Sequence, residues 1–308
     1  MRSYLFLLLS LVAILSCNEN RFITILDIES KGHEPQLVVS ARFILHNPKQ
    51  NNQFVFVTRS KALNENQYIT TVDHAEVTLW EDEDLVDTGI WVDTISAFPH
   101  SLDRISGYVM KWKDFVPGKN YTLKVSAPGF TTVESTIMLP EKSEITDVKY
   151  NINGYKDPSD GNSIDEIEFK ISNINAEKYY LTTIQQVSIY IRGTNRDTSY
   201  SSLYPIPESP LYQEVSGNGL VFRGEDVLPL QGLVKIALPF LNINPSSSSY
   251  YQVTLYNITK DQYYYLLSYE QYKRVLGNPF AEPVVVYSNI KNGLGIFSLE
   301  YYQAFPVK

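Results

Sequence analysis

The sequence predicts a mainly β protein that carries one α-helix late in the chain. Two observations support this fold class. Many short runs alternate apolar and polar residues and are separated by turn residues, which is typical of the strands of a β-sandwich. Only the stretch at about 260–275 places apolar residues at helical spacing. The length of 308 residues exceeds what one hydrophobic core usually serves, so we expect two domains.

The chain begins with a segment typical of a signal peptide. Arg2 provides a positive charge, and the apolar run Tyr4–Leu15 follows it. At about 12 residues this run is too short to span a bilayer, which takes about 20. The run leads into Ser16-Cys17, which resembles the bacterial lipobox, and Cys17 is the only cysteine of the chain. We therefore predict that residues 1–16 are removed and that the Cys17 thiol carries a lipid.

Lipid attachment at Cys17 would make residues 17–34 a membrane tether. Two or three acyl chains hold a protein on a membrane, whereas a single chain binds only marginally. An ordinary secretory leader and an uncleaved anchor are the alternatives. Because the lipid occupies Cys17, the body has no cysteine for a disulfide or for a thiolate metal site.

The composition indicates a folded protein that does not bind nucleic acid. Apolar residues make up 44% of the chain and charged residues 19%, as in ordinary globular domains. The net charge is −8, and neither half of the chain has the excess of lysine and arginine that binding to phosphates requires.

Residues 35–142 are predicted to form an N-terminal β-sandwich. Polar and apolar residues alternate in several runs, such as Ala75–Trp80, in which Val77 and Leu79 would face the core. The acidic run Glu81–Asp84 interrupts the pattern and marks the turn of a hairpin. Strands are predicted at residues 36–43, 53–58, 75–80, 85–92 and 121–126.

Residues 143–308 are predicted to form a second β-sandwich-like domain that carries the late helix. Thr259 and Gln262 begin this helix as a capping box, in which each side chain satisfies a free backbone N–H of the first turn. Gly277 ends the helix, which gives bounds of about 260–275. Strands are predicted at residues 145–152, 166–172, 186–192, 219–222, 234–239, 250–257 and 295–305.

No residue is assigned to catalysis, to a metal or to a cofactor, because the sequence holds no motif for them. The acidic run Glu81–Asp84 could bind calcium, but a solvated turn is the favoured interpretation. Asp165, Glu166 and Glu168 could pair in space as the two acids of a glycosidase do, since such acids leave no motif. The histidines, which lack the spacing of a zinc motif, are His33, His46, His74 and His100.

Tyrosine is concentrated in the second half of the chain, where 18 of the 23 tyrosines lie at or beyond position 155. Rigid aromatic side chains suit stacking on a ligand, so the tyrosines at 263–272 are a candidate recognition surface. The alternative is that they pack in the seam between the helix and the sheet, and the preference of tyrosine for strand surfaces favours this alternative.

Two resemblances add to these interpretations. The segment Pro117–Phe130 places a strand between two Pro-Gly turns and resembles an immunoglobulin-like sandwich of the transthyretin-like, carboxypeptidase-regulatory type. The chain as a whole resembles the Bacteroidota lipoprotein family known as domain of unknown function 4249. The blocks that carry this second resemblance are Glu34–Val39, Ala75–Leu79, Pro117–Leu123, Tyr265–Ser268, Asn278–Phe280 and Ser288–Phe297.

The family resemblance implies a location and a role. Such lipoproteins are anchored at the outer membrane, and their genes often lie beside those of TonB-dependent receptors, which implies a non-enzymatic accessory role in nutrient uptake. The implied partners are the membrane, through the lipid on Cys17, and a TonB-dependent receptor; either face of the outer membrane fits. A structural or adhesive cell-surface protein is the alternative, and a cryptic hydrolase is the third candidate.

Overall fold

The computed structural model describes most of the chain after the predicted tether. Nearly all of this part belongs to one compact unit, which is formed by Pro35–Ser60 and Gln67–Lys308. The described residues are 34–45, 52–61, 71–96, 104–112, 114–158, 160–192, 195–203, 206–207, 212–215, 219–238, 248–278 and 280–307.

The prediction of a mainly β fold is confirmed. The described residues form strands β1 to β18 and helices α1 and α2, and a 3-10 turn at Leu228–Leu230 follows α1 directly. The strands are β1 Leu37–Leu45, β2 Gln53–Arg59, β3 Glu76–Glu81, β4 Asp84–Thr88, β5 Ile90–Ser96, β6 Arg104–Met110, β7 Asn120–Ser126, β8 Val133–Met138, β9 Glu144–Lys156, β10 Ser163–Ser172, β11 Tyr179–Arg192, β12 Asn195–Ser202, β13 Ile206–Pro207, β14 Gln213–Val215, β15 Gly219–Arg223, β16 Leu233–Leu238, β17 Ser248–Ile258 and β18 Leu294–Val307. The helices are α1 Gly224–Val227 and α2 Lys260–Val275.

The largest sheet has ten strands, in the order β14-β15-β11-β17-β18-β1-β2-β6-β5, with β12 paired to β11. The last strand of the chain, β18, lies in the middle of this sheet. It runs parallel to β1 and antiparallel to β17, so that Phe43 lies opposite Leu299 and Tyr256 lies opposite Tyr302. One sheet therefore joins the first strand of the described chain to the last.

The first hydrophobic core lies between one part of this sheet and the four-stranded sheet β4-β3-β7-β8. In β1 every second side chain is buried, as the alternation in the sequence predicts. Phe43 of β1 meets Phe297 of β18 edge to face, with ring centroids 5.4 Å apart. Burial of one such side chain contributes about 1.5–3 kcal/mol to the free energy of unfolding. The N-terminal sandwich thus includes β18, and the predicted domain boundary at residue 142 stays a prediction.

The second core lies between another part of the ten-stranded sheet and the sheet β13-β16-β10-β9. Phe169 of β10, Ile236 of β16 and Val253 of β17 are buried in it. On β18, Phe297 belongs to the first core and Val307 to the second, and both have odd numbers. Because the side chains of a strand alternate between its faces, the two smaller sheets cover the same face of the large one.

Helix α2 packs on the opposite face of the large sheet. Its Tyr263 is buried in a third apolar cluster with Leu181 and Ile258 of the sheet. The bounds of the helix agree with the predicted ones. Thr259 Oγ1 accepts a hydrogen bond from the backbone N–H of Gln262 at 3.2 Å, so one half of the predicted capping box forms. The other half does not form, because Gln262 Oε1 is buried without a hydrogen-bond partner in the described part of the chain.

Candidate binding surface on the tyrosine-rich helix

The predicted lipid-attachment site lies outside the described residues. Both Ser16 and Cys17 belong to the segment before residue 34, so the lipid anchor stays a prediction. Among the helices of the described stretches, none combines the length and the apolar character needed to cross a membrane.

The candidate metal-binding groups are separate from one another where the structure describes them. His74 is exposed and lies 3.5 Å from the carboxylate of Asp73. In the described ranges, no three His, Cys, Asp or Glu side chains come together as a metal ion requires. Outside these ranges lie His33, His46 and His100.

The acidic run at 81–84 forms the turn between β3 and β4, and its carboxylates contact side chains near the start of β7. Asp82 lies at the tip of the turn with a φ of 50° and accepts a hydrogen bond from Lys119 Nζ at 2.7 Å. This hydrogen bond lowers the pKa of Asp82. The hydroxyl of Tyr121 donates to the carboxylate of Glu81 at 2.7 Å. These contacts support the interpretation of the run as a turn rather than a calcium site, because the carboxylates of Glu81 and Asp82 already accept hydrogen bonds from protein side chains.

The three candidate carboxylates of the second half lie on β10 and also have protein partners. Asp165 accepts a hydrogen bond from the hydroxyl of Tyr150 on β9. Glu166 and Glu168 share the ammonium of Lys235 on β16, which lies 3.5 Å from one carboxylate and 3.4 Å from the other. The observed contacts support a structural interpretation, in which these carboxylates link β10 to its neighbours.

A buried cluster of Ser143, Lys178 and Tyr180 gives no signal in the sequence, because Ser143 lies 35 positions before Lys178 and 37 before Tyr180. Ser143 Oγ lies 3.0 Å from Tyr180 Oη and 3.3 Å from Lys178 Nζ. Burial lowers the pKa of Lys178, which favours the neutral amine that a general base needs. Ser143 is fully buried, however, and its hydroxyl donates to the carbonyl of Asn173 at 3.0 Å. The hydroxyl is therefore closed to a substrate in this arrangement, and the cluster ties the start of β9 to the start of β11.

Three tyrosines of α2 form a stripe along one face of the helix. Tyr265, Tyr269 and Tyr272, which we call the tyrosine stripe, follow the i, i+4, i+7 spacing of one helix face, and Leu276 continues it. The ring centroids of Tyr265 and Tyr269 are 6.0 Å apart with nearly parallel planes, and those of Tyr269 and Tyr272 are 6.4 Å apart. Lys273 Nζ lies 5.7 Å from the Tyr269 centroid. The stripe therefore presents stacked ring faces at the surface.

The tyrosines at 263–272 divide between the predicted seam and the exposed surface, and recognition by the exposed ones stays a prediction. Tyr263 is buried in the seam, where its ring lies 5.1 Å from that of Tyr179 on β11. Tyr269 and Tyr272 point away from the sheet and are 37% and 36% exposed. The helix is thus held by one set of aromatic rings and displays another.

The chain after α2 returns along the helix and is tied to it. The backbone N–H of Tyr287 donates to Ser268 Oγ at 2.8 Å, and the Tyr287 hydroxyl donates to Asp261 Oδ1 at 2.5 Å. Burial and the hydrogen bond with Asp261 raise the pKa of Tyr287 to about 12. The same returning segment exposes Phe280 and Val285, which are 95% and 86% accessible. Large exposed apolar side chains of this kind are typical of surfaces that contact a partner.

The fold and this surface define a mainly β protein with an aromatic surface on its late helix. A family model described as a domain of unknown function, DUF4249, matches residues 23–300, and the chain belongs to this family. The expected membership in domain of unknown function 4249 is thereby confirmed, whereas the lipoprotein character stays a prediction. No curated protein matches the chain.

Proposed function

We propose that the protein is a lipid-anchored, non-enzymatic binding protein of the outer membrane that acts with a TonB-dependent receptor in nutrient uptake. The lipobox-like end of the leader at Cys17 supports the anchor. The observation that carries the binding role is the tyrosine stripe, because it displays two exposed aromatic rings, stacked beside the half-buried ring of Tyr265, on a helix that the sheet holds in place.

A stripe of this kind suits a protein partner for a physical reason. Tyrosine brings a large apolar ring and a polar tip with few rotatable bonds, so little side-chain entropy is lost when a partner covers it. Tyr263 and Tyr287 already fix the helix to the body, which removes most of the ordering that docking would otherwise require. The exposed Phe280 and Val285 follow in the chain and extend the apolar character of the region.

The proposal is tested by affinity purification of the tagged full-length lipoprotein from detergent-solubilised membranes. We expect a TonB-dependent receptor to co-purify with the native protein and to be lost with the double variant Tyr269→Ala/Tyr272→Ala. Truncation of one central interface tyrosine typically costs about 2 kcal/mol, which weakens binding roughly 30-fold.

Tyr190→Ala is the matched control, because Tyr190 is 47% exposed but lies on strand β11 rather than on the stripe. This variant should retain the receptor. If native protein recovers no TonB-dependent receptor, the proposal is wrong. Recovery of a matrix macromolecule instead would support the structural or adhesive alternative.

A further inference from the structure

The outer face of the four-stranded sheet β4-β3-β7-β8 carries a row of side chains in register. Trp80 of β3 lies directly opposite Thr122 of β7, which lies directly opposite Thr136 of β8. The neighbouring residues along these strands, such as Leu79 and Leu123, are buried in the first core. Because side chains alternate across a strand, the row from Trp80 to Thr136 faces outward.

This face contains a groove with a volume of about 360 Å³. Trp80, Thr122 and Thr136 line it together with carboxylates of the β3–β4 turn and of β8. The indole N–H of Trp80 donates to Thr78 Oγ1 at 3.0 Å, which fixes the orientation of the ring. The groove thus offers one oriented aromatic ring among polar groups.

A cation of the chain itself already lies on this ring. Lys124 Nζ is 5.0 Å from the centroid of the Trp80 ring, within the range of a cation–π interaction. Lys124 is the cross-strand neighbour of Thr78, so its flexible side chain reaches the ring from the adjacent strand β7. The Trp80 ring therefore already holds one ammonium group, that of Lys124, at cation–π distance.

Carboxylates outnumber ammonium groups among the residues that line the groove. Asp82, Glu83 and Glu134 line it together with the single cation Lys124. Asp82 pairs with a lysine outside the groove at 2.7 Å, and Glu134 pairs with another at 3.2 Å. Exposed pairs of this kind contribute little, so an incoming cation can compete with them. Glu83 forms no ion pair with the part of the chain that the structure describes.

We propose that this groove binds an alkylammonium group, whose charge lies on the Trp80 ring and is neutralised by Asp82, Glu83 and Glu134. Lys124 occupies the position in the absence of a ligand and swings away when one binds. A free polyamine and the lysine side chain of a peptide share this chemistry. A neutral sugar also stacks on indole rings, but it brings no positive charge to a lining in which carboxylates outnumber cations.

The test is isothermal titration of the detergent-solubilised full-length protein with three probes in buffer of physiological ionic strength. Spermidine represents the polyamine, N-acetyl-lysine methylamide represents the peptide side chain, and maltose represents a neutral sugar. We expect heat of binding from one or both ammonium probes and none from maltose. Trp80→Ala should weaken the binding about 3-fold to 30-fold.

Two exposed-residue variants keep the test independent of how Trp80→Ala folds. Glu83→Gln should weaken binding, and Lys124→Ala should tighten it because the internal competitor is gone. Glu76→Gln is the matched control, since it removes the same charge from strand β3 outside the groove. The proposal is overturned if Lys124→Ala binds neither ammonium probe, if Glu76→Gln and Glu83→Gln weaken binding equally, or if maltose alone binds.

Discussion

Arg42 on β1 and Glu300 on β18, which are 258 positions apart in the chain, form an ion pair across two parallel strands, in which Arg42 Nε donates to both carboxylate oxygens. Arg42 Nε lies 2.7 Å and 2.8 Å from the two carboxylate oxygens, and the Glu300 side chain is fully buried. The guanidinium also lies over the ring of Tyr256, 5.0 Å from its centroid. Burial lowers the pKa of Arg42, but the charge and hydrogen bonds of Glu300 outweigh this effect and raise it.

We predict that Arg42→Met destabilises the protein by about 3 kcal/mol, because it leaves the buried Glu300 carboxylate without its partner. The double variant Arg42→Met/Glu300→Leu should recover most of this loss, since no unpaired charge remains. Urea unfolding of both single variants and the double variant gives the coupling energy of the pair. Strictly additive effects would show that the ion pair does not couple β1 to β18.

The tyrosines of α2 give a second prediction. Tyr263→Ala should lower the free energy of unfolding by about 3 kcal/mol, because it leaves a cavity in the seam between helix and sheet. Tyr269→Ala should change it by no more than about 0.5 kcal/mol, since the ring is at the surface. Urea denaturation followed by circular dichroism measures both values. Equal losses for the two variants would contradict the assigned orientations.

Glu168 gives a prediction about pH. The hydrogen bond with Lys149 lowers the pKa of Glu168 below its ordinary value of 4.5, so the folded state holds the charged form more strongly than the unfolded state does. Its contribution to stability is therefore complete above that ordinary pKa and is lost as the pH falls through the lower pKa of the folded state.

Glu168→Gln should accordingly reduce stability at pH 7 and flatten the loss of stability in acid. The measurement is the urea midpoint of native and variant protein between about pH 7 and pH 3. Glu76→Gln serves as the control, because this exposed side chain is on a different sheet. A variant whose midpoint falls with pH as steeply as that of the native protein would rule out this role for Glu168.

Cys17 gives the prediction on which the proposed location depends. Cys17→Ala should abolish incorporation of labelled fatty acid and should move the body from the membrane pellet to the soluble fraction. Ser16→Ala keeps a small residue at the cleavage position and should remain lipidated and membrane-bound. Fractionation of cells that express each variant makes the comparison. A Cys17→Ala protein that stays in the pellet would argue for a different anchor.

Local sequence signals were sufficient where the structure depends on neighbouring residues. The start of α2 at Thr259 and its end before Gly277 are encoded within a few positions of each boundary, and both agree with the structure. Alternation likewise predicted the strand at 75–80, because Val77 and Leu79 must share one buried face. The Gln262 side chain departs from the predicted capping box. Its oxygen is buried and does not accept the hydrogen bond from the Thr259 backbone N–H that the capping box requires.

The candidate sites depend on contacts between residues that are far apart in the chain, so the sequence predicts them less well than it predicts the secondary structure. Helical spacing places Tyr263 and Tyr269 on different faces but does not say which face the sheet covers. The groove at Trp80 requires the register that sets Thr122 and Thr136 beside it, and three other strands separate β3 from β7 in the chain. The cluster of Ser143, Lys178 and Tyr180 also forms only when β9 and β11 meet.

The sequence by itself determined the mainly β class, the late helix and the family, because each is encoded in residues close together or in a pattern along the whole chain. Only the tertiary structure decided that β18 pairs with β1, that Arg42 meets Glu300, and which tyrosines face outward. The physical reason is that many strand edges could form backbone hydrogen bonds with one another. The pairing that forms is the one that buries whole apolar faces of the sheets. No short stretch of sequence contains that choice.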